Sequence, residues 1–251
     1  MGVAVKKEVL ISAPSTRPVF KGIQKLSLLD YPEKMATIVF VGGCNFRCPF
    51  CYNAELVLNS PELPSVPESG ILEYLKNRRE WLDGVVITGG EPTMYPELPD
   101  FLQKVKRIGL EIKLDTNGSN PGMLGELMRE GLVDYVALDV KAPLREEKYG
   151  EVAGVPNMAR LVERSAKLLL SSQIEYELRT TVVPTLLEEN DVLEIAERIK
   201  GAKRYYLQQF KRATTHLDER FSKIEPYPLE FLRDLQKKVS SYFKICKVRG
   251  G

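Results

Sequence analysis

The chain has 251 residues, 43% of them hydrophobic and 28% charged, which is enough apolar material for one large α/β domain or two small ones. Its 36 basic and 34 acidic side chains nearly cancel to a formal charge of +2, so no electrostatic feature calls for a nucleic acid or membrane partner. Apolar runs such as ATIVFVGG fall far short of the roughly 20 residues that span a bilayer, and no signal-peptide core opens the sequence, so a cytoplasmic protein is expected.

Residues 1–20, MGVAVKKEVLISAPSTRPVF, mix short apolar pieces with Pro and Ser and read as an N-terminal arm without a motif. From Lys21 the pattern alternates and turns at Pro32, which predicts a short hairpin ahead of the first core strand, MATIVFV. β-branched runs then alternate with segments of helical period, the mark of βα units around a parallel sheet. The pattern predicts strands at 36–41, 84–88, 110–116, 134–140, 174–183 and 204–210. Helices are predicted at about 67–80, 97–108, 121–130, 157–171, 188–200 and 228–242, the last a C-terminal helix, and residues 60–69 form a Pro-rich connection. Six such units are too few for a complete eight-stranded barrel. The expected fold is therefore α/β, a partial (β/α)6 barrel of mostly parallel strands with short N-terminal and C-terminal extensions, in one domain over residues 21–251. The ligand site of such a sheet lies at the carboxyl ends of its strands.

Three of the four cysteines, Cys44, Cys48 and Cys51, fall in GGCNFRCPFCYN just after the first strand, while Cys246 stands alone near the C-terminus. Thiols this close suit metal or redox ligands in a reducing compartment better than disulfides. Their spacing lets a loop wrap three thiolates around one face of an iron–sulfur cubane, leaving the fourth iron open. A structural zinc site completed by Cys246 or His216, or three unrelated buried thiols, is the alternative. His216 is the only histidine, which excludes sites built from two or three imidazoles of one chain.

Other chemistry-bearing residues sit at predicted strand ends. GGEPT, residues 89–93, follows the second strand; Gly89 and Gly90 would let the backbone approach a ligand, and Glu91 would orient either the loop or the ligand. Read alone, the segment is a tight turn. LDTNG and LDVK put Asp115 and Asp139 at the ends of the third and fourth strands, where each either caps the next helix or faces a ligand, and Lys141 shares the strand face of Asp139. Arg179 in the fifth strand offers a guanidinium for a carboxylate, or is an ordinary strand-edge Arg. Gln208 and Gln209 end the sixth, where either reaches a ligand or is a solvated amide.

The cysteine loop, with aromatic Phe50 before Cys51, resembles the CxxxCxφC loop of the radical S-adenosylmethionine superfamily, and GGEP follows it in that family's order. The resemblance runs from about Lys21 to Phe210 and implies a 4Fe-4S cluster on Cys44, Cys48 and Cys51 whose open iron chelates S-adenosylmethionine. It further implies that GGEP contacts the methionyl amino group. The DTNG and DxK elements are similar to those of the glycyl-radical-enzyme activases. In the pyruvate formate-lyase activase, such elements touch S-adenosylmethionine and a monovalent cation, here matching Asp115, Thr116, Asn117, Asp139 and Lys141. The opening stretch KLSLLDYPEKMATIVFVGGCNFRCPFCYNAELV most resembles the activases of anaerobic ribonucleotide reductase, although Tyr52 stands where many activases have His.

That likeness implies reductive cleavage of S-adenosylmethionine to a 5'-deoxyadenosyl radical, which generates a glycyl radical on a partner enzyme, an anaerobic ribonucleotide reductase. Without added CxxC pairs for auxiliary clusters, electrons are expected from a separate donor such as flavodoxin or ferredoxin. The alternatives are activation of another glycyl radical enzyme, a small-molecule reaction like that of carboxydeazaguanine synthase, or a non-catalytic iron–sulfur or zinc module, which would leave GGEPT, DTNG and LDVK unexplained.

Overall fold

A computed structural model describes residues 15–250, so most of the arm expected over residues 1–20 lies outside the described residues. The chain forms an eight-stranded sheet in sequential order: β1 (Phe20–Ser27), β2 (Ala36–Val41), β3 (Gly84–Gly89), β4 (Glu111–Thr116), β5 (Tyr135–Asp139), β6 (Glu175–Val182), β7 (Arg204–Gln209) and β8 (Ile245–Arg249). β1 pairs antiparallel with β2 as the predicted hairpin, and every later pairing is parallel. In the connecting turn, the Ser27 hydroxyl accepts the backbone N–H groups of Leu29 and Asp30 at 3.1 and 3.2 Å. β1 and β8 are the two edges, so the barrel is partial, as expected, but carries one parallel strand more than predicted.

Each parallel crossover contains helix, as right-handed βαβ connections require. The helices are α1 (Ala54–Val57), α2 (Glu68–Asn77), α3 (Leu98–Ile108), α4 (Pro121–Arg129), α5 (Glu146–Ala153), α6 (Ala159–Leu170), α7 (Glu189–Arg198) and α8 (Leu229–Val239). Helix α3 shows why the outer layer is stable. Leu98, Phe101, Leu102 and Val105 recur at helical spacing and are buried against the sheet, each contributing about 1.5–3 kcal/mol by leaving water. The main core lies between sheet and helices, with Val39, Ile87, Leu114, Leu138, Leu178 and Leu207 facing outward from successive strands.

Side chains alternate on a strand, so the intervening residues point into the barrel. At the amino end of the strands the interior is an apolar plug of Tyr31, Ile38, Val86 and Tyr135, with the two tyrosine rings 5.8 Å apart. Toward the carboxyl end it becomes charged, and there the site opens. Among the described residues, no helix is long and apolar enough to cross a membrane.

Candidate functional site

A cavity of about 1130 Å3 occupies the carboxyl end of the barrel. Cys44, Cys48 and Cys51 line it together with Phe50, Gly89, Gly90, Asp115, Thr116, Asn117, Asp139, Lys141 and Arg179. Every predicted site residue except Glu91 therefore borders one space, although the chain draws them from five strand ends.

The cysteine loop is held from three sides. Helix α1 receives it, through Gly43 N–H to the Leu56 carbonyl at 2.7 Å and Cys44 N–H to the Val57 carbonyl at 3.2 Å. Helix α5 supports it from below: Arg47 N–H donates to the Ala153 carbonyl at 2.8 Å, and Gly154 ends the helix with φ 70°. A Cβ on Gly154 would come within 2.1 Å of the Arg47 carbonyl oxygen, so this cap must be glycine both for its left-handed backbone and for the loop's close approach. Later in the chain, Leu217 and Asp218 donate N–H groups to the Cys51 and Pro49 carbonyls at 2.9 and 3.0 Å. Phe46, Cys48 and Phe50 are buried with Tyr149, Val152 and Ala153 of α5 in an apolar cluster of their own.

Burial pushes the Cys44 thiol up to about 11 and the Cys48 thiol to about 12, while the Lys141 ammonium pulls both down. Iron would have to displace those protons. Phe46 N–H and Asn117 Nδ2 point to Cys44 Sγ at 3.4 and 3.8 Å, as donors to a coordinated sulfur do. The donor set fits a cubane: three thiols face one cavity, with room beside them for a fourth ligand. A zinc site finished by Cys246 or His216 finds no support. Cys246 packs on the main core from β8, and the His216 ring meets Ser222 Oγ at 3.1 Å and the Lys211 carbonyl at 3.2 Å. Among the described residues, no three His, Cys, Asp or Glu side chains gather as one metal ion requires.

GGEP turns out to be the clasp between two loops. Gly90 N–H donates to the Val41 carbonyl and Glu91 N–H to the Gly43 carbonyl, both at 2.8 Å. A Cβ on Gly90 would lie 1.7 Å from the Gly43 carbonyl oxygen, so the glycine serves contact with the cysteine loop as well as the cavity wall. Glu91 is fully buried, and its carboxylate accepts the N–H and hydroxyl of Thr93, the Thr116 hydroxyl at 2.7 Å and the Asn117 N–H at 2.7 Å. Burial raises its pKa against the pull of these donors. Glu91 thus ties the end of β3 to the end of β4.

Asp115 and Asp139 cap no helix. The next helix after Asp115 is capped by Asn120, whose side chain accepts Met123 N–H at 3.1 Å, and α5 begins after Arg145. Both aspartates face the barrel interior. Arg179, directly opposite Asp139 in the β5–β6 register, donates Nε to Asp139 at 2.8 Å and Nη1 to Asp115 at 3.1 Å. Lys141 donates to Asp139 at 3.3 Å, and Lys113 pairs with Asp115. Against the effect of burial, Arg179 and Lys141 lower the Asp139 carboxyl to about 2, and Arg179 with Lys113 also lowers that of Asp115. Arg179 and Lys141 are held protonated by the same partners.

Several residues at the site were not singled out in the sequence. Asn45 links the two loops, accepting from Asn117 Nδ2 at 2.9 Å and donating to Ser119 Oγ at 2.8 Å. Lys113, Thr88 and Thr181 line the cavity from inward strand positions, and strict alternation back from Asp115 would have found Lys113. Gln208 and Gln209, which the sequence places at the end of the sixth predicted strand, also line it, Gln208 Nε2 donating to Thr181 Oγ1 at 3.2 Å and Gln209 Nε2 to the Tyr227 carbonyl at 2.9 Å. Tyr52 is half exposed at the rim, with Lys211 over its ring.

Residues 38–206 match the Radical SAM superfamily. A Methanocaldococcus jannaschii protein named as a glycyl-radical enzyme activating enzyme is 33% identical over 240 residues, covering 93% of this chain and 96% of its own. The pyruvate formate-lyase-activating enzyme of Clostridium pasteurianum is 25% identical over 237 residues, 88% of this chain and 95% of that one. Among solved structures, Streptococcus suis SuiB bound to S-adenosylmethionine aligns with 83% of this chain at TM-score 0.63 and 17% identity; this chain spans about half of it, 48%. At that identity the likeness is one of fold.

Proposed function

The chain belongs to the radical SAM superfamily, whose members use a 4Fe-4S cluster and S-adenosylmethionine, and from that premise we propose that it is a glycyl-radical-enzyme activase acting on an anaerobic ribonucleotide reductase. The observation that carries this reading is the single cavity in which three clustered thiols meet the strand-end charges of Asp115, Asp139, Lys141 and Arg179. Cys44, Cys48 and Cys51 hold the cluster, which when bound supplies the electron that cleaves S-adenosylmethionine to methionine and a 5'-deoxyadenosyl radical.

The remaining work is positioning. The backbone at Gly89 and Gly90 meets the methionyl amino group, with Glu91 fixing that loop from behind. Phe50 packs beside the cluster, and Asp115, Thr116, Asn117, Asp139, Lys141 and Arg179 receive the polar end of the cofactor. Residues 21–251 act as one cytoplasmic domain, reduced by a separate donor such as flavodoxin or ferredoxin. The relative named for glycyl-radical enzyme activation, similar over nearly the whole length of both chains, supports a protein rather than a small molecule as the substrate.

The test uses the reconstituted, reduced protein with S-adenosylmethionine and the anaerobic ribonucleotide reductase of the same organism. A glycyl radical doublet in electron paramagnetic resonance is expected, lost when the partner's radical-site glycine near its C-terminus is changed to alanine. If 5'-deoxyadenosine forms with no doublet, the partner assignment fails and other glycyl radical enzymes, then small molecules, become the candidates.

A further inference from the structure

The monovalent cation implied by the sequence resemblance does not fit the side chains present. Asp115 gives one carboxylate oxygen to Lys113 and the other to Arg179 at 3.1 Å. Asp139 gives one to Arg179 at 2.8 Å and the other to Lys141 at 3.3 Å. Each of the four oxygens that a hard cation would seek thus already accepts from an ammonium or guanidinium group of the chain itself.

The charge balance of the barrel interior points the same way. Lys113, Lys141, Arg179 and Arg249 meet Asp115, Asp139 and Glu177, so every carboxylate of this network is already matched by a cation of the chain. An alkali ion would add a further positive charge beside these groups, where like charges repel.

Lys113 is the residue that tips this balance. Its side chain is only 3% exposed, on the inner face of β4 two residues before Asp115, with its ammonium 5.9 Å from the centroid of the Tyr135 ring. Burying a lysine this deeply is costly unless it is paired, and its hydrogen-bond partner is Asp115. We propose that the Lys113 ammonium is a built-in counter-ion, standing where a monovalent cation would otherwise sit beside Asp115, so that S-adenosylmethionine binding here is independent of the alkali cation in solution. Lys113 is accordingly a positioning residue that acts through Asp115. The inference rests on the S-adenosylmethionine reading above.

The test measures S-adenosylmethionine binding by the cluster-loaded protein in potassium, sodium or tetramethylammonium chloride at equal ionic strength. The wild-type dissociation constant should agree within about twofold across the salts, whereas Lys113→Ala should bind about tenfold more weakly in tetramethylammonium and recover in potassium or ammonium. Thermal unfolding of the cluster-free proteins gives a second readout: potassium should raise the midpoint of Lys113→Ala relative to tetramethylammonium and leave the wild type unmoved. A wild type that loses about tenfold in affinity without alkali cation overturns the proposal, as does a variant weakened equally in every salt. Should Lys113→Ala fail to fold, Lys113→Gln replaces it, and the wild-type series decides by itself. Wild-type protein with a full cluster that binds S-adenosylmethionine in no salt overturns the parent reading, and this inference with it.

Discussion

The cysteine loop and the charged strand ends border one cavity but are held by different forces. Around the cysteines, Phe46 and Phe50 pack on Tyr149 and Val152 of α5, and main-chain hydrogen bonds tether the loop to α1, α5 and the segment at Leu217. Across β4, β5 and β6 the opposite holds: Lys113, Asp115, Asp139 and Arg179 are fixed to each other by charge-assisted bonds, each meaningless without its neighbours. The difference teaches how the two jobs divide. A loop that must receive a large inorganic group is shaped by packing and keeps its thiols out of the ion-pair network, whereas a surface that must receive a charged organic ligand is pre-oriented by charges that lose little freedom when the ligand arrives.

The strongest way to break that comparison is to remove the thiols. Cys44→Ala, Cys48→Ala and Cys51→Ala should each abolish formation of an intact cluster on anaerobic reconstitution, read as iron content and visible absorbance, while Cys246→Ala should load like the wild type because its thiol lies in the outer core. A stable four-iron cluster in the triple variant would contradict the ligand assignment.

Next in size is Arg179→Met, which leaves two largely buried carboxylates without their shared partner. It should cost about 3 kcal/mol in urea unfolding of the cluster-free protein, yet leave iron loading intact, since none of the loop's tethers passes through Arg179. Loss of iron together with stability would mean that the two regions are mechanically one.

Glu91→Gln sharpens the boundary between them. The amide keeps the shape but turns one acceptor towards a donor, so about 2 kcal/mol of stability should be lost, for a group that joins the β3 and β4 loops. If Glu91 only fixes the loop, S-adenosylmethionine affinity should fall less than about threefold at a temperature where the variant is fully folded. A large affinity loss in the folded variant would make it a direct ligand contact instead.

Legibility in the sequence followed the same division. The cysteine loop is a contiguous motif, and the strands β2 to β7 are β-branched runs with helical segments between them, so both could be read locally. Helix α5 could not. REEKYGEVAG carries only Tyr149, Val152 and Ala153 as an apolar face among charges, and the helix is stabilised by the loop it supports. β8 was missed for a similar reason: ICKVR is short and half exposed, and it becomes a strand through its ladder with β7 and the grip of Arg249 on Glu177 at 2.7 and 2.8 Å. The expected C-terminal helix is α8, and β8 is the addition after it. Asp115, Asp139 and Arg179 were each visible as strand-end residues, but their mutual pairing depends on register, and Lys113 passed unnoticed because a lysine in a strand is ordinarily a solvated one.

The most direct test of the central claim is the fate of S-adenosylmethionine on the anaerobically reconstituted, dithionite-reduced protein, followed by chromatography. Methionine and 5'-deoxyadenosine should appear in equal amounts, and neither should form in the Cys44→Ala, Cys48→Ala or Cys51→Ala proteins. A wild-type protein that holds a reducible four-iron cluster and binds S-adenosylmethionine but leaves it uncleaved would contradict the account.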